Sequence, residues 1–481
     1  MRTGFAAIFL CVVWTSCSNG KVFNPPPFDQ LYFPTGIVHT DLPSSTDGVL
    51  FVANANFDRR YTSGSVSAIS LSKIEGLPAL GQHQGGAALS LKRLSIETES
   101  VVQVPDFTGE MAGVWLAENR FRLYVPSRSE GMALSGIDVA FSTDGSPPIL
   151  SCQGQAADRR DCTTAALSLT PTQFVDSDDG VPRAPMPFGV VATARACTAS
   201  SDCGEGRSCQ DNQCVTSNNN ILSDVYVTHL TSADSPLNSG KNFRSYLVHL
   251  DTESQLVDEQ SFIDMGFGGA SSVVTGQRWT YAAGRFAGGG VNLLRLIDRS
   301  RTVLTSGLES VYRVADARGI AIGGGEKRLF VAGRAPDSLL VVGVTGHTSD
   351  APQLSLIRAI ALPNAPTQVR SIVRPGRGDL VVVVCTGGGV VVIYDDDVGD
   401  VVAQIPGVGL QPFGLAIDER GSSARIFVSN FSDGRIAVID LADVYRPQDA
   451  QLVAQLGRQQ LCLTRGTSGG LDCETASGDA L

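Results

Sequence analysis

The residues of this chain best suited to chemistry are its cysteines, its histidines and a recurring set of arginines. Eleven cysteines are present among 481 residues. Four of them, Cys197, Cys203, Cys209 and Cys214, follow the spacing C-x5-C-x5-C-x4-C. So short a segment cannot enclose a core of its own, and cross-links must hold it. Zinc is the rival ligand. The cluster lacks the C-x2-C knuckle common in zinc sites, and disulfides are the expectation, with all three pairings of four cysteines open. Cys152 and Cys162 bracket a polar loop, and Cys462 and Cys473 bracket another near the C-terminus. Local pairs of this kind suit an oxidising compartment. Cys385 closes the apolar run Val381-Val-Val-Val-Cys385 and reads as a buried thiol.

The five histidines, His39, His83, His229, His249 and His347, form no H-x-H or H-x-x-x-H pair, and no C-x-x-C-H stands ready for haem. No metal and no cofactor is expected. His229 and His249 fall on adjoining apolar runs and read as satisfied strand-end histidines. No serine is set in a G-x-S-x-G elbow between a strand and a helix, so no catalytic residue is picked out. Asp176-Ser-Asp178-Asp179-Gly180 starts like a calcium loop, but the following VPRAPMP does not lead to the Glu such a loop needs at its twelfth place. It reads as an acidic turn, as does Asp395-Asp396-Asp397. The arginines are more suggestive. Arg59, Arg128, Arg285 and Arg334 each follow a similar apolar run. Converging guanidinium forks would bind a carboxylate or a phosphate; dispersed, they would pair with Asp and Glu of neighbouring segments.

Which of these holds depends on the elements that carry them. The clearest unit runs from Asp400 to Leu441: VVAQI, PFGLAI, RIFVSN and RIAVIDL, separated by Gly, Asp and Ser turns. Each run is short and rich in β-branched residues, which signals strands rather than helices. The order recurs upstream. Pro34-Thr-Gly leads to LFVAN and GSVSAISL, Met111-Ala-Gly to RLYVP and SGIDVAF, and Pro187-Phe-Gly to DVYVTHL and RSYLVHLD. Ala270-Ser-Ser leads to WTYAAG and VNLLRLID, Arg318-Gly-Ile to RLFVAG and SLLVVGV, and Val369-Arg-Ser to DLVVVVC and GVVVIYD. With the Asp400 copy the matches number seven, and a count of six or eight stays open at this level. No unit buries both faces of its sheet alone; closing a ring of units does so and leaves few free edges.

The unit resembles the YVTN-type propeller repeat, with its Pro-x-Gly strand, its Leu-Tyr-Val-Ala-Asn-like strand and its Val-x-Val-Ile-Asp-like strand. The resemblance spans residues 34–456 and implies an all-β, seven-bladed β-propeller of four-stranded antiparallel blades. The segment 197–214 is then a small disulfide-rich insertion. Its likeness to small knuckle modules implies the pairs Cys197–Cys209 and Cys203–Cys214. Before the ring, Arg2 and the apolar stretch Phe5–Val13 read as a signal peptide over 1–16, too short to span a bilayer. Trp14-Thr-Ser-Cys17 resembles the lipobox of bacterial lipoproteins, although Trp14 stands where that motif prefers an aliphatic. It implies acylation of Cys17, with 17–33 as a stiff, proline-rich tether and 457–481 as a tail after the ring. NPPPFDQLYFPTG and FVANANFDRRY also look like a group of uncharacterised exported lipoprotein propellers of Gram-negative bacteria. That likeness places the chain in the cell envelope, as an outer-membrane lipoprotein facing the periplasm or the cell surface.

In a blade with strands a to d counted outward from the axis, a–b and c–d loops share one face, and b–c and d–a loops share the other. Residues 72–92, the Cys152–Cys162 loop and the 197–214 insertion are expected on the first face, as a platform. The four arginines are expected on the second. Hydrophobic residues make up 43% of the chain and charged residues 18%, which excludes disorder. A net charge of -11 repels phosphate backbones and argues against nucleic acid as a partner. The expected function is non-catalytic binding or scaffolding, toward a protein, a glycan or a small anion, with the membrane engaged through the lipid. The alternative is an enzyme, a lactonase-like hydrolase or an oxidoreductase, with its site in the central channel.

Overall fold

The computed structural model describes residues 24–42, 45–82, 85–129, 132–142, 146–156, 158–169, 186–197, 199–203, 207–217, 220–230, 244–251, 257–267, 269–285, 294–298, 301–306, 308, 314, 316–349, 351–464 and 471–475. Seven antiparallel sheets succeed one another along the chain, beginning with strands a at Pro34–Leu42, Ala112–Ala117, Met186–Ala194, Ala270–Thr275, Asp316–Ile322, Pro366–Ile372 and Pro412–Arg420. The protein is a seven-bladed β-propeller of four-stranded blades.

The strand pattern shows why the ring closes. In Leu380–Cys385, strand b of blade 6, every side chain is buried. Leu380, Val382 and Val384 pack toward blade 7, while Val381, Val383 and Cys385 pack toward blade 5. A strand with a neighbour on both faces reads as an unbroken apolar run, not as an alternating one. Seven apolar clusters repeat this arrangement, one for each junction between successive blades. One of them joins Val438, Phe427 and Val453 of blade 7 to Leu50, Val52 and Ile69 of blade 1. Leu31, at the end of the presumed tether, joins that last cluster, and Tyr32 donates to Ser65, so packing starts three residues before the ring's first strand.

Close to the axis the constraint is sharper. A Cβ on Gly36 would lie 2.6 Å from the Met111 nitrogen, one on Gly189 2.5 Å from the Ser271 carbonyl, one on Gly319 2.7 Å from the Thr367 carbonyl and one on Gly414 2.0 Å from the Thr35 carbonyl. Each contact is with strand a of the next blade or, at Met111, with the residue just before it. The Pro-x-Gly signature marks the place where neighbouring backbones nearly touch. The pairing corrects three alignments. In blade 5 the place is Ala317-Arg-Gly319, not Arg318-Gly-Ile, since Ala317 faces Gly333. In blade 2 this place is Thr108-Gly109-Glu110, not Met111-Ala-Gly, since Thr108 faces Ser127; in blade 6 it is Pro366-Thr-Gln368, not Val369-Arg-Ser.

The platform does not form. Residues 71–100 leave blade 1 and cross to blade 7, where Leu89–Leu91 adds a parallel fifth strand outside Gln451–Leu456. Pro78 accepts from Arg425, and the Gly81 amide donates to Asp440. The Cys152–Cys162 loop lies along the outer strand of blade 1: Cys162 N–H donates to Gln103, and Gln103 N–H donates to Arg160. Both insertions settle on outer strands because an outermost strand offers unpaired backbone groups. The 197–214 insertion remains between strands a and b of blade 3, on the face with the a–b loops.

Disulfides join Cys152 to Cys162, Cys197 to Cys209 and Cys203 to Cys214. Cys385 is a buried free thiol, its pKa pushed up to about 12 by burial. The terminal strands Gln460–Thr464 and Leu471–Thr475 pair with Cys462 opposite Cys473. The side chains of those two residues lie outside the described residues, as do Cys17, the signal segment and Asp176–Gly180. Among the described residues no helix is long and apolar enough to cross a membrane.

Candidate functional site

Strand b of each blade ends beside the start of strand a. Ser127 faces Thr108, Gly284 faces Ala270 and Arg334 faces Asp316. The residue at or just after the end of strand b is therefore delivered to the rim around the axis, on the face with the b–c loops. Arg128, Arg285 and Arg334 arrive there by this route, and Arg318 joins them from strand a of blade 5. Arg285 feels the other three, and its pKa falls to about 10: burial lowers it most, then Arg318, with Arg128 and Arg334 adding and Asp316 opposing.

Two carboxylates face these four guanidinium groups. Asp316 lies 2.5 Å from Arg318 Nε and 3.7 Å from Arg285 Nε, and Asp337 attracts Arg334 from farther away. Arg334 donates instead to the carbonyls of Pro366 and Ala365 and to Thr367 Oγ1, at 3.0, 3.3 and 2.7 Å. Arg128 donates to the Phe107 carbonyl at 3.4 Å and lies 5.2 Å over the Phe188 ring. Among the described residues, no carboxylate touches Arg128 or Arg334. Burial lowers the pKa of both, which records how poorly their charge is compensated. An acid of the adjacent blade thus faces Arg285, and Arg318 pairs with Asp316 of its own strand, while Arg128 and Arg334 have neither among the described residues.

Arg59 does not join the group. It is exposed and sits 5.0 Å over Phe107, beside Asp106 and a shallow cavity of about 590 Å³ between blades 1 and 2. Between Arg59 and Arg128 lies a feature that sequence reading missed, a chain of aromatic rings. Phe107 meets Phe57 at 5.7 Å, Phe57 meets Phe431 at 5.3 Å, Phe431 meets Phe413 at 6.4 Å and Phe413 meets Phe188 at 5.9 Å. Phe57 is 41% exposed. The rim therefore carries arginines on one side and a ring-lined shelf on the other. The phenylalanines at Pro-Phe-Gly and after strand b were legible as repeats, but only the closed ring brings them together.

Below the rim the axis is closed. At the place where blades 1, 3, 5 and 7 carry glycine, blades 2, 4 and 6 carry Glu110, Ser272 and Gln368. Gln368 donates across the axis to Glu110. Burial lifts the Glu110 carboxyl above its ordinary range, against the pull of Arg370 and hydrogen bonds from Gln368, the Val190 amide and Ser272. Beyond this plug a cavity of about 490 Å³ opens to the other face, walled by Val38, Val191, Val274, Ile322 and Ile417 with His39, Arg370 and Glu419 among them.

The strand-end reading of the two histidines holds, and one acidic turn is corrected. His229 and His249 do not meet: His229 Nδ1 lies 3.1 Å from the Tyr246 carbonyl at one end of blade 3, and His249 Nε2 lies 2.9 Å from Asp224 at the other. Asp395 is not a solvated turn residue. It is buried and accepts two hydrogen bonds from the fully buried Arg374, at 2.9 and 2.7 Å, which hold its carboxyl below the usual range despite burial. A G-x-S-x-G spelling does occur, at Gly466-Thr-Ser-Gly-Gly470. It falls between the two strands of the terminal hairpin, is followed by the strand Leu471–Thr475, and lies outside the described residues.

No protein-family model matches the chain, and no curated protein matches it. Among solved structures, hydrazine synthase of Kuenenia stuttgartiensis is similar at 12% identity and a TM-score of 0.48, over 86% of this chain and 97% of that one. Sqt1 of Chaetomium thermophilum, bound to the N-terminus of ribosomal protein L10, is similar at 9% identity and a TM-score of 0.44, over 92% and 93%. A 6-phosphogluconolactonase-type protein of Bacteroides fragilis is similar at 11% identity and a TM-score of 0.39, over 76% and 82%.

Proposed function

We propose that this propeller is a lipid-anchored, exported binding protein of the cell envelope that holds anionic ligands at its arginine-bearing rim and catalyses no reaction. The observation that carries this reading is the pair Arg128 and Arg334. Both are desolvated, both stand at the rim, and neither touches a carboxylate among the described residues. A guanidinium held so is already stripped of part of its hydration and still offers donors, which suits a carboxylate or a phosphate. The adjoining phenylalanines add a surface for a flat body, so the ligand class is an acidic group on a ring, such as a sugar acid, or an acidic side chain of a partner protein. The Glu110–Gln368 plug keeps such a ligand at the rim and out of the channel.

Calorimetric titration with inorganic phosphate, citrate, glucuronate and neutral glucose tests the proposal. Binding of at least one anion and not of glucose is expected. Arg128→Ala with Arg334→Ala should weaken it about tenfold or more, the scale of one lost charge-assisted hydrogen bond. Arg59→Ala should leave it unaltered. Unchanged affinity of the double variant for every anion found would end the reading. The anchor is tested separately: Cys17→Ala should move the protein from the membrane to the soluble fraction, and membrane retention of that variant would remove the lipid from the proposal.

A further inference from the structure

We infer that His39, Asp41 and Asp418 form a binding site for a divalent transition-metal ion at the seam where blade 7 meets blade 1. His39 and Asp41 are two apart on strand a of blade 1, so they share a side of it; Asp418 comes from strand a of blade 7, which packs alongside. One candidate ligand atom from each residue lies within 4.8 Å of the other two, with His39 Nε2 3.8 Å from Asp418 Oδ2. The site stands at the far end of the channel from the arginine rim and is independent of the anion proposal.

Three observations point to an ion rather than to a chance meeting of acids. First, the two inner members are deeply buried, His39 at 5% and Asp418 at 3% side-chain exposure, yet His39 Nε2 and Asp418 Oδ1 make no hydrogen bond among the described residues. Buried polar atoms in that condition are unfavourable, and a shared cation relieves both. Second, the ring has a fixed seat: it packs on Gly48, where a Cβ would lie 1.9 Å from Nε2, so any larger residue there would push the imidazole out of its present place. Third, the ring is held in plane against Phe427, 5.7 Å away and nearly parallel, while Arg420 grips Asp418 Oδ2 at 2.9 and 2.8 Å and leaves Oδ1 unused. Outer contacts of that kind orient metal ligands.

The donor set selects the ion. One imidazole nitrogen with two carboxylates suits zinc and its neighbours, whereas calcium asks for six or more oxygens. Three protein ligands leave a position for water. The positive charge of Arg420 weakens the site relative to one with free carboxylates. Because its ligands come from the first and last blades, the bound ion would pin the junction that no disulfide closes among the described residues.

The test is titration of metal-stripped, tag-free protein with Zn2+, Ni2+, Ca2+ and Mg2+, and with Co2+ followed by its visible spectrum. One equivalent of Zn2+ is expected to bind in preference to Ca2+ and Mg2+, and Co2+ should give bands of a nitrogen-and-oxygen site. His39→Gln and Asp418→Asn should each weaken Zn2+ binding at least about tenfold. Asp41→Asn, at an exposed position, should weaken it as well and alter the Co2+ bands. Stoichiometric zinc should also shield His39 from diethylpyrocarbonate in the unaltered protein. Failure of the unaltered protein to bind Zn2+, or Co2+ bands unmoved by Asp41→Asn together with an unshielded His39, would overturn the assignment.

Discussion

Gly414 shows how much one residue can be asked to do near the axis. Its missing Cβ leaves room for the Thr35 carbonyl of the neighbouring blade, and alanine would place a carbon 2.0 Å from that oxygen. Backbone cannot swing aside as a side chain can. Gly414→Ala should therefore destabilise by about 1–3 kcal/mol or more, read as a lower urea midpoint with little change in slope. His229 makes a second residue-scale prediction. It is fully buried, and burial lowers its pKa to about 4. The unfolded chain takes up the proton near pH 6.5 and the folded one only near 4, so this contribution is intact above pH 6.5 and fades as pH falls toward 4. Its size is up to about 3 kcal/mol. Urea midpoints between pH 7 and pH 4 should fall more for the natural protein than for His229→Gln. The Pro-x-Gly spelling was legible in the chain, and so were Arg128, Arg285 and Arg334. Arg318 was not seen as a rim residue, because it enters from strand a and breaks the after-strand-b rule. Glu110 was hidden for a different reason: it replaces the glycine that defines the motif.

At the scale of elements, runs such as Val381–Cys385 announced strands buried on both sides, and each of the seven blades was legible through them. Paths of insertions were not, because nothing local in Leu89-Ser-Leu91 names the edge it joins on Gln451–Leu456. The tie between those segments is electrostatic as well as backbone. Arg425 pairs with Asp440 at 2.6 and 2.9 Å, and both are buried against the crossing segment. Arg425→Ala leaves a buried carboxylate without its charge partner and should destabilise by about 3–5 kcal/mol, a loss that Asp440→Asn in the same chain partly restores. Hydrogen exchange should show residues 78–91 opening first. The cysteine-rich insertion behaves as its own unit. Replacing Cys203 and Cys214 by serine should loosen 197–214 by about 2–4 kcal/mol and leave the melting of the ring in place.

For the molecule as a whole, the sequence spelled the ring because each junction repeats the same two-sided burial, and repetition survives drift that single positions do not. The distribution of charge was less legible. A chain with net charge -11 carries its uncompensated arginines on one rim, so ligand capture there should weaken steeply with salt, as contacts between unlike charges do. Measuring anion affinity at 50 mM and 500 mM salt checks this; no change would mean the apolar shelf, not the arginines, holds the ligand.

The crossing of residues 71–100 onto the seventh blade has a bearing on how the molecule comes into being. The strip Leu89–Leu91 is made early, and its docking edge at Gln451–Leu456 is made with the seventh blade. At about 5–20 residues per second, the ~360 residues between them mean tens of seconds during which the earliest blade has no finished neighbour. Until the final stretch is released, the nascent polypeptide is an open arc with two raw ends. That leaves the strip Leu89–Leu91 without its partner edge, and in need of shelter, until the seventh blade has emerged.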